Sequence, residues 1–241
     1  MRKIVTHHPG HRPPSPEGRD DPALLRAQIL TAEHWSLLTT RSAVWQEIFS
    51  RTGTFLTILS ATVVALSLVV QASGFDDSFR IVALIVLPLV LFVGLATFLR
   101  LVEADIEDAW LVIGMNRVRR GYLELAPDLE RFLVTGHHDD EEGMLQTYSF
   151  RRRVGVGHLL AGSPVVVGTI EALVGGVFGA IVGDALGAAV PIQVGIGVAV
   201  ALGVATALGT LFYRRVRRFR RGYRPRFPAP GEPAGGDATG G

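Results

Sequence analysis

Four long apolar stretches constrain this 241-residue chain more than any other feature of its sequence. The first covers residues 52–72, and the second covers residues 81–99 between Arg80 and Arg100. Each is about 20 residues long, which is the length that a helix needs to cross the hydrocarbon core of a bilayer. A third apolar region, residues 159–213, is too long for one helix. The sequence therefore predicts a membrane protein.

The third apolar region divides best between Asp184 and Pro191, because proline favours the first turn of a helix. This division predicts spans at residues 164–183 and 192–212. Hydrophobic residues make up 48% of the chain and charged residues 19%, and the apolar residues are clustered as in membrane proteins. We expect an all-α integral membrane protein with four transmembrane helices in two hairpins.

The regions outside the spans differ in composition, and they divide the chain into five segments. Helical spacing of apolar residues before the first span and after the second predicts that both helices extend beyond the membrane. In the extension before span 1, Trp35 and Trp45 suit either anchoring at the membrane interface or packing on a neighbouring helix. The first 20 residues lack the apolar core of a signal peptide. The predicted segments are a disordered tail at 1–21, the first hairpin with its helical extensions at 22–134, an acidic and basic linker at 135–158, a glycine-rich hairpin at 159–213, and an Arg-rich then Pro/Gly-rich disordered tail at 214–241.

Arginine placement predicts the orientation in the membrane. The short loops within the two hairpins contain only Arg80, whereas the central segment and the C-terminal tail contain many arginines. By the positive-inside rule, both termini and the central segment face the cytoplasm. Of the 24 basic residues only Lys3 is lysine, which is typical of high-GC bacteria, so the expected location is a bacterial cytoplasmic membrane.

The arginines directly after the fourth span are candidates for contact with anionic lipid headgroups, an attraction worth about 1 kcal/mol per basic residue. Arginines interleaved with aromatic residues also suit single-stranded nucleic acid, but the position beside a span argues against a nucleic-acid partner. The remaining alternative is an orientation signal without a ligand. The candidate residues are Arg214, Arg215, Arg217, Arg218, Arg220 and Arg221.

Small residues recur every fourth position in the third and fourth spans. Apolar side chains gain little free energy by contacting each other in lipid, because lipid tails are equally apolar. Small residues instead allow helix backbones to approach closely. The pattern resembles the glycine zipper of several small membrane proteins. It fits packing of the two spans within one chain or contact between subunits of a homo-oligomer. The rows are Gly175, Gly179, Gly183 and Gly187, the adjacent Gly168, Ala172, Gly176 and Ala180, and Gly195, Ala199, Gly203 and Ala207.

Glu171 is the one acidic residue well inside the predicted third span, one turn before Gly175. An ionisable group within a bilayer is a candidate functional residue. We expect it to be protonated, or paired with an arginine among Arg151, Arg152 and Arg153. Alternatively, the span begins later and Glu171 lies among the headgroups.

The sequence carries no motif that indicates catalysis or a cofactor. There are no cysteines, which excludes thiolate metal ligands and thiol nucleophiles, and no phosphate-binding loop or nucleophile elbow is present. The segment Thr135–Gly143 contains His137, His138 and four acidic residues, but it matches no metal-site spacing. We interpret it, like the acidic residues at 103–108, as a solvated surface and predict no metal site, no cofactor and no enzymatic activity.

Several short motifs carry a resemblance. His34–Leu38, Arg41–Ser42 and Trp45–Glu47 precede a Thr/Ser-rich span, and Gly114–Arg117 and Tyr122–Pro127 follow the second span. Over residues 31–213 the chain resembles an uncharacterised family of multi-spanning membrane proteins from high-GC bacteria, which implies location and no activity. Its plan is also similar to the two-span effector domains of bacterial defence systems.

Three functions follow as hypotheses. The first is a self-associating membrane protein, such as a small channel or pore-type effector, with Glu171 near the lumen or an interface. The second is a membrane-anchored scaffold that binds a cytosolic protein through its cytoplasmic helices. The third is an enzyme acting on lipid, with a metal held by residues 137–142.

Overall fold

The computed structural model describes residues 21–149 and 162–230, and within these ranges it contains helices and no strand. Four of the helices are long and apolar enough to cross a membrane, which supports a membrane-embedded protein. The helices are α1 (Pro22–Ser73), α2 (Asp77–Leu125), α3 (Glu141–Ser149), α4 (Ser163–Ala185) and α5 (Val190–Gly222), with a 3-10 helix at Pro127–Phe132.

Helices α1 and α2 each join a predicted span to its predicted extension without a break. The Asp21 carboxylate accepts a hydrogen bond from the Ala23 N–H (2.9 Å) and caps α1, and Asp76 caps α2 through the Phe79 N–H (3.0 Å). Between them, Gly74 adopts a positive φ of 75°, which glycine tolerates at a helix end. Pro88 lies inside α2, where a membrane helix tolerates it.

The two long helices pack against each other along their length. Their extensions beyond the spans, residues 22–50 of α1 and 101–125 of α2, form a two-helix stalk. Two glycines of α2 make room for leucines of α1: a Cβ at Gly114 would lie 3.1 Å from Leu37 and one at Gly121 would lie 3.0 Å from Leu30. The buried core continues from the stalk into the spans, through Ile48, Phe55, Val90, Leu101 and Val167.

Helix α4 packs on both α2 and α5. Its first residue is Ser163 and its N-cap is Gly162, so no side chain caps the start of this helix. Helix α5 begins at Val190, so Pro191 lies in its first turn, as the sequence predicts. The end of α4 is tied to α2, where Arg80 Nε lies 3.1 Å from Asp184 Oδ2.

The structure differs from the predicted disordered tail at 214–241. Helix α5 continues through the arginines to Gly222, because no proline or glycine interrupts the chain between Tyr213 and Arg221. Residues 223–230 are not helical, and several of them are hydrogen-bonded to the loop at 138–140, as described below. The predicted tail at 1–20 and the residues 231–241 lie outside the described part of the chain.

Candidate functional site

Glu171 lies in the middle of the helical bundle, with only 3% of its surface exposed. Its carboxyl group occupies the space that Gly94 of α2 leaves by having no side chain. A Cβ at Gly94 would overlap the Glu171 carboxyl and lie 2.7 Å from Phe55 Cε2 of α1. Three helices therefore enclose this carboxyl group. Gly94 was not predicted as a site residue, although it is the only glycine between Ile81 and Leu99.

The position of Glu171 along the apolar segments follows from its contact with Gly94. Gly94 is six residues from Arg100, and at about 1.5 Å per residue this is roughly 9 Å inside the apolar run of α2. Glu171 Oε1 is buried and accepts no hydrogen bond from the described residues. The predicted arginine partners at 151–153 lie outside the described residues. The carboxyl group therefore lies level with the apolar segment of α2.

Four glycines of α4 face α5 of the same chain, whereas a Cβ at Gly168 would lie 3.1 Å from Phe98 of α2. A Cβ at Gly176 would lie 2.9 Å from the Gly197 carbonyl oxygen, and a Cβ at Gly197 would lie 2.9 Å from the Gly176 oxygen. Added Cβ atoms at Gly175, Gly179 and Gly183 would likewise contact α5, 3.3 Å from Val204, 2.8 Å from Val200 and 3.0 Å from Ile196. Of the two alternatives for this row, the structure shows packing within the chain.

Gly187 does not belong to this packing row. Helix α4 ends at Ala185, and Gly187 has a positive φ of 75° in the turn that leads to α5. An added Cβ there would meet nothing within 4 Å. The four-residue spacing was misleading because the helix ends before its last member, and Gly187 serves the turn.

The small residues of α5 lie on a different face. Added Cβ atoms at Gly195 and Gly203 would meet no described atom within 4 Å. A shallow groove of about 780 Å³ follows this face and ends among arginines. Its lining is Leu202, Gly203, Thr206, Ala207, Thr210, Leu211, Arg214, Arg215 and Arg218. We call the row of Gly195, Ala199, Gly203 and Ala207 the open strip.

The six candidate arginines are all exposed on the last turns of α5. Two of them form ion pairs within the chain: Arg215 Nη1 lies 3.5 Å from Glu103 Oε1, and Arg220 bonds to Glu141. Arg217 lies over the ring of Tyr213, 5.8 Å from its centroid. Contact of this cluster with anionic headgroups stays a prediction, and Arg214, Arg218 and Arg221 carry most of it.

A charge network lies where α1 and α2 leave their apolar segments. Glu47 accepts hydrogen bonds from Arg100 Nη2 (2.8 Å) and from Arg51 Nε (2.7 Å), and Arg100 also bonds to Glu107 (2.8 Å). The hydrogen bond from Arg100, followed by that from Arg51, lowers the pKa of Glu47 to about 2. Arg51 and Arg100, which flank the apolar segments of α1 and α2 at this end, are thus bound to carboxylates other than Glu171.

The acidic residues at 103–108 are not simply a solvated face, as the sequence suggested. Asp108 is 3% exposed and accepts hydrogen bonds from Arg41 Nε (2.8 Å), Trp45 Nε1 (3.1 Å) and the Tyr148 hydroxyl (2.6 Å). Burial, and then the charge of Asp108, raises the pKa of Asp105 to about 6. Asp108 therefore joins α1 to α3. Trp45 is 37% exposed and bonded to Asp108, whereas Trp35 is 65% exposed.

The acidic loop after the 3-10 helix differs most from the predicted solvated surface, because Asp139 is 0% exposed. Its carboxylate accepts hydrogen bonds from Arg117 Nε (2.8 Å), the Arg226 N–H (3.0 Å) and the Phe227 N–H (2.7 Å). The Tyr223 hydroxyl donates to the Asp139 carbonyl oxygen (2.7 Å). We call this arrangement, in which the loop Gly136–Gly143 holds Tyr223–Ala229, the tail clamp.

Asp140 completes the tail clamp. One carboxylate oxygen accepts the Gly143 N–H (2.7 Å) and so caps α3, while the other accepts the Ala229 N–H. Asn116 supports the loop through its donation to the His138 carbonyl oxygen (2.8 Å). The two aspartates are therefore occupied by backbone N–H groups. Within residues 21–149 and 162–230, no group of three or more His, Asp or Glu side chains is placed to hold a metal ion.

No family model, curated protein or solved structure matches this chain in sequence or fold.

Proposed function

We propose that the protein is a non-enzymatic membrane protein that self-associates through the open strip of α5. One observation carries this proposal. The glycine row of α4 is covered by α5, whereas the open strip has the same composition and no described neighbour. In lipid, rows of this kind associate because close backbone approach gains dispersion contacts that lipid chains cannot supply.

The packing of α4 on α5 supports this argument within the same molecule. There, glycines and alanines bring two backbones so close that an added Cβ at Gly176 would lie 2.9 Å from a carbonyl oxygen. A second copy of α5 would meet the open strip with equally small side chains. We propose a homo-oligomer in which α5 packs on α5 of a second copy.

The proposed setting is a bacterial cytoplasmic membrane with both termini on the cytoplasmic side. The arginines of α5 lie at the same end of the bundle as Arg51 and Arg100, and among the described residues the opposite end carries only Arg80, which pairs with Asp77 and Asp184. This asymmetry supports the positive-inside orientation. Arg214 and Arg218 at the end of the groove would then lie at the depth of anionic headgroups.

A small channel or pore-type effector is the more specific form of the proposal. In that form the lumen would lie between copies, because Glu171 is enclosed by helices of its own chain. Ion flux from purified protein in liposomes tests this form. Flux that persists in a monomeric variant would contradict a pore shared between copies.

Cross-linking tests self-association directly, since the natural chain has no cysteine. We expect Ala199→Cys to form disulfide-linked dimers in liposomes under oxidation, because the open strips face each other. Val198→Cys, on the same helix but pointing to another face, is the matched control and should cross-link at least tenfold less. Adding Gly203→Leu to the Ala199→Cys chain should abolish the cross-link, because the leucine separates the backbones.

Two results would contradict the α5 interface. One is equal cross-linking at positions 198 and 199, which indicates random collision. The other is a strict monomer in nanodiscs at every protein density tested. Gly203→Leu should leave the chain folded, since no described atom lies within 4 Å of an added Cβ there.

A scaffold is the second candidate, and the stalk supplies the observation that favours it. Leu24, Trp35 and Phe49 lie on one exposed face of α1, and Trp35 is 65% exposed. Trp35 is sixteen residues before Arg51, so along a helix it is roughly 24 Å from the span, too far for a membrane anchor. An exposed apolar row of this kind suits a partner protein.

Site-specific photo-cross-linking in native membranes tests the scaffold. A photoreactive amino acid at position 35 should give one discrete adduct with a second protein, whereas the same group at Glu33, which lies on a different face, should give at least fivefold less. Equal or absent labelling at both positions would argue against a docking surface on the stalk.

A further inference from the structure

Glu171 is the only titratable side chain enclosed by the apolar segments of the described helices. The apolar segments of α1 (52–72), α2 (81–99) and α5 (192–212) contain no Asp, Glu, His, Lys or Arg. In α4 the next charged residue is Asp184, thirteen residues away and paired with Arg80. The site therefore consists of one carboxyl group against Gly94 and Phe55.

The two arginines that flank the apolar segments of α1 and α2 at the Gly94 end are already bound elsewhere. Arg51 and Arg100 both bond to Glu47, and Arg100 also bonds to Glu107. Moving either arginine to Glu171 would break these pairs and draw a guanidinium into the apolar core. An isolated ionised carboxylate in such surroundings is far more costly than its neutral acid form.

The surroundings also select the kind of ligand. A metal cation needs several oxygen ligands, and Ca²⁺ for example takes six to eight. On the α1 side, the ring carbon Cε2 of Phe55 borders the site. The hydroxyl of Thr97, on the turn after Gly94, donates its hydrogen bond to the Val93 carbonyl oxygen (2.8 Å). Among the described residues, Oε1 of Glu171 has no hydrogen-bond partner and Glu171 belongs to no group of acidic or histidine ligands, so the site suits a proton and not a metal cation.

We propose that Glu171 is an intramembrane proton-binding site, in which Gly94 and Phe55 enclose a carboxyl group that carries its proton at neutral pH. The proposal depends on the membrane-embedded state and is independent of self-association, so either can fail without the other. Deprotonation would place an unpaired charge where three helices meet, and it would loosen the packing of α4 on α2.

Infrared difference spectroscopy tests the proposal on the full chain in nanodiscs. The spectrum of the natural protein minus that of Glu171→Gln at pH 7 should show the carbonyl-stretch band of a protonated carboxylic acid. Carbon-13 labelling of glutamate carboxyls should shift this band and so assign it to glutamate. Asp184→Asn is the matched control, and its difference spectrum should show the bands of an ionised carboxylate instead.

Carboxylate bands in the Glu171→Gln difference spectrum at pH 7 would overturn the proposal. Thermal unfolding is an independent measurement. Glutamine resembles the neutral acid in shape, so we expect Glu171→Gln to unfold within a few degrees of the natural protein and Glu171→Ala to unfold earlier. If Glu171→Gln were as unstable as Glu171→Ala, the side chain would be held by its charge, and the proposal would be wrong.

Discussion

Gly94→Ala is expected to destabilise the bundle by about 3 kcal/mol, the upper end of the usual cost of overpacking a core. The added Cβ would overlap the Glu171 carboxyl and lie 2.7 Å from Phe55 Cε2, and three helices meet at this point. In a helix facing open space, the same change would be favourable, because alanine has the higher helix propensity. The measurement is reversible unfolding of the purified protein in detergent, followed by circular dichroism.

Gly53→Ala is the matched control, because an added Cβ at Gly53 would meet nothing within 4 Å. It should be neutral or slightly stabilising. Glu171→Ala in the Gly94→Ala chain should restore part of the lost stability, since residues in contact do not act additively. Equal stability of the two glycine variants would show that α2 and α4 do not meet at Gly94 and Glu171.

Asp139→Ala is expected to open the tail clamp at a cost of about 3 kcal/mol, because it removes one partner of a buried ion pair. Arg117 would lose its carboxylate, and the N–H groups of Arg226 and Phe227 would lose their acceptor. The rate of trypsin cleavage measures the opening of the clamp. It cleaves poorly between Arg224 and Pro225, so the Arg226–Phe227 bond held in the clamp should become the sensitive site.

We expect cleavage after Arg226 to accelerate at least tenfold in Asp139→Ala. Asp128→Ala, at an exposed position of the 3-10 helix, is the control and should leave the rate unchanged. Cleavage at the natural rate in Asp139→Ala would show that the aspartate does not hold the tail.

The tail clamp should also be stable at neutral pH and weaken in acid. Burial works against the charged form of Asp139, but the Arg226 N–H, the Arg117 guanidinium and the Phe227 N–H together hold the pKa of Asp139 below its usual value. A carboxyl group with a lowered pKa in the folded state stabilises that state at neutral pH and loses this contribution only as the pH falls through the lowered pKa. The protection of the Phe227 amide against hydrogen exchange, taken relative to its intrinsic exchange rate at each pH, should therefore stay high at pH 7 and fall only in acid.

Much of the helical framework was predictable, because its causes are local. An apolar run of about 20 residues, a capping aspartate at position 76 and a proline near the start of α5 each act within a few residues. The predicted spans at 52–72 and 164–183 end within a residue or two of Ser73 and Ala185, where α1 and α4 end. The predicted start of the tail at residue 214 was also a local error, because arginine has a good helix propensity and α5 continues to Gly222.

The acidic loop could not be interpreted from sequence alone. Six adjacent polar residues suggested either a solvated loop or metal ligands, yet Asp139 and Asp140 are buried against Arg226–Ala229. The partners are more than 80 residues away along the chain, and they are backbone N–H groups that any residue type except proline supplies. No pattern of side chains records such a contact.

The sequence by itself determined that this chain forms long apolar helices with arginines at one end, because length, hydropathy and charge act on each segment separately. The tertiary structure alone decided which glycines face a neighbour, that Gly94 makes room for Glu171, and that the open strip of α5 stays uncovered within the chain. These outcomes depend on the rotation of each helix about its axis and on which helices become neighbours. Both are set by the summed packing of residues far apart in sequence, so neither has a local signal.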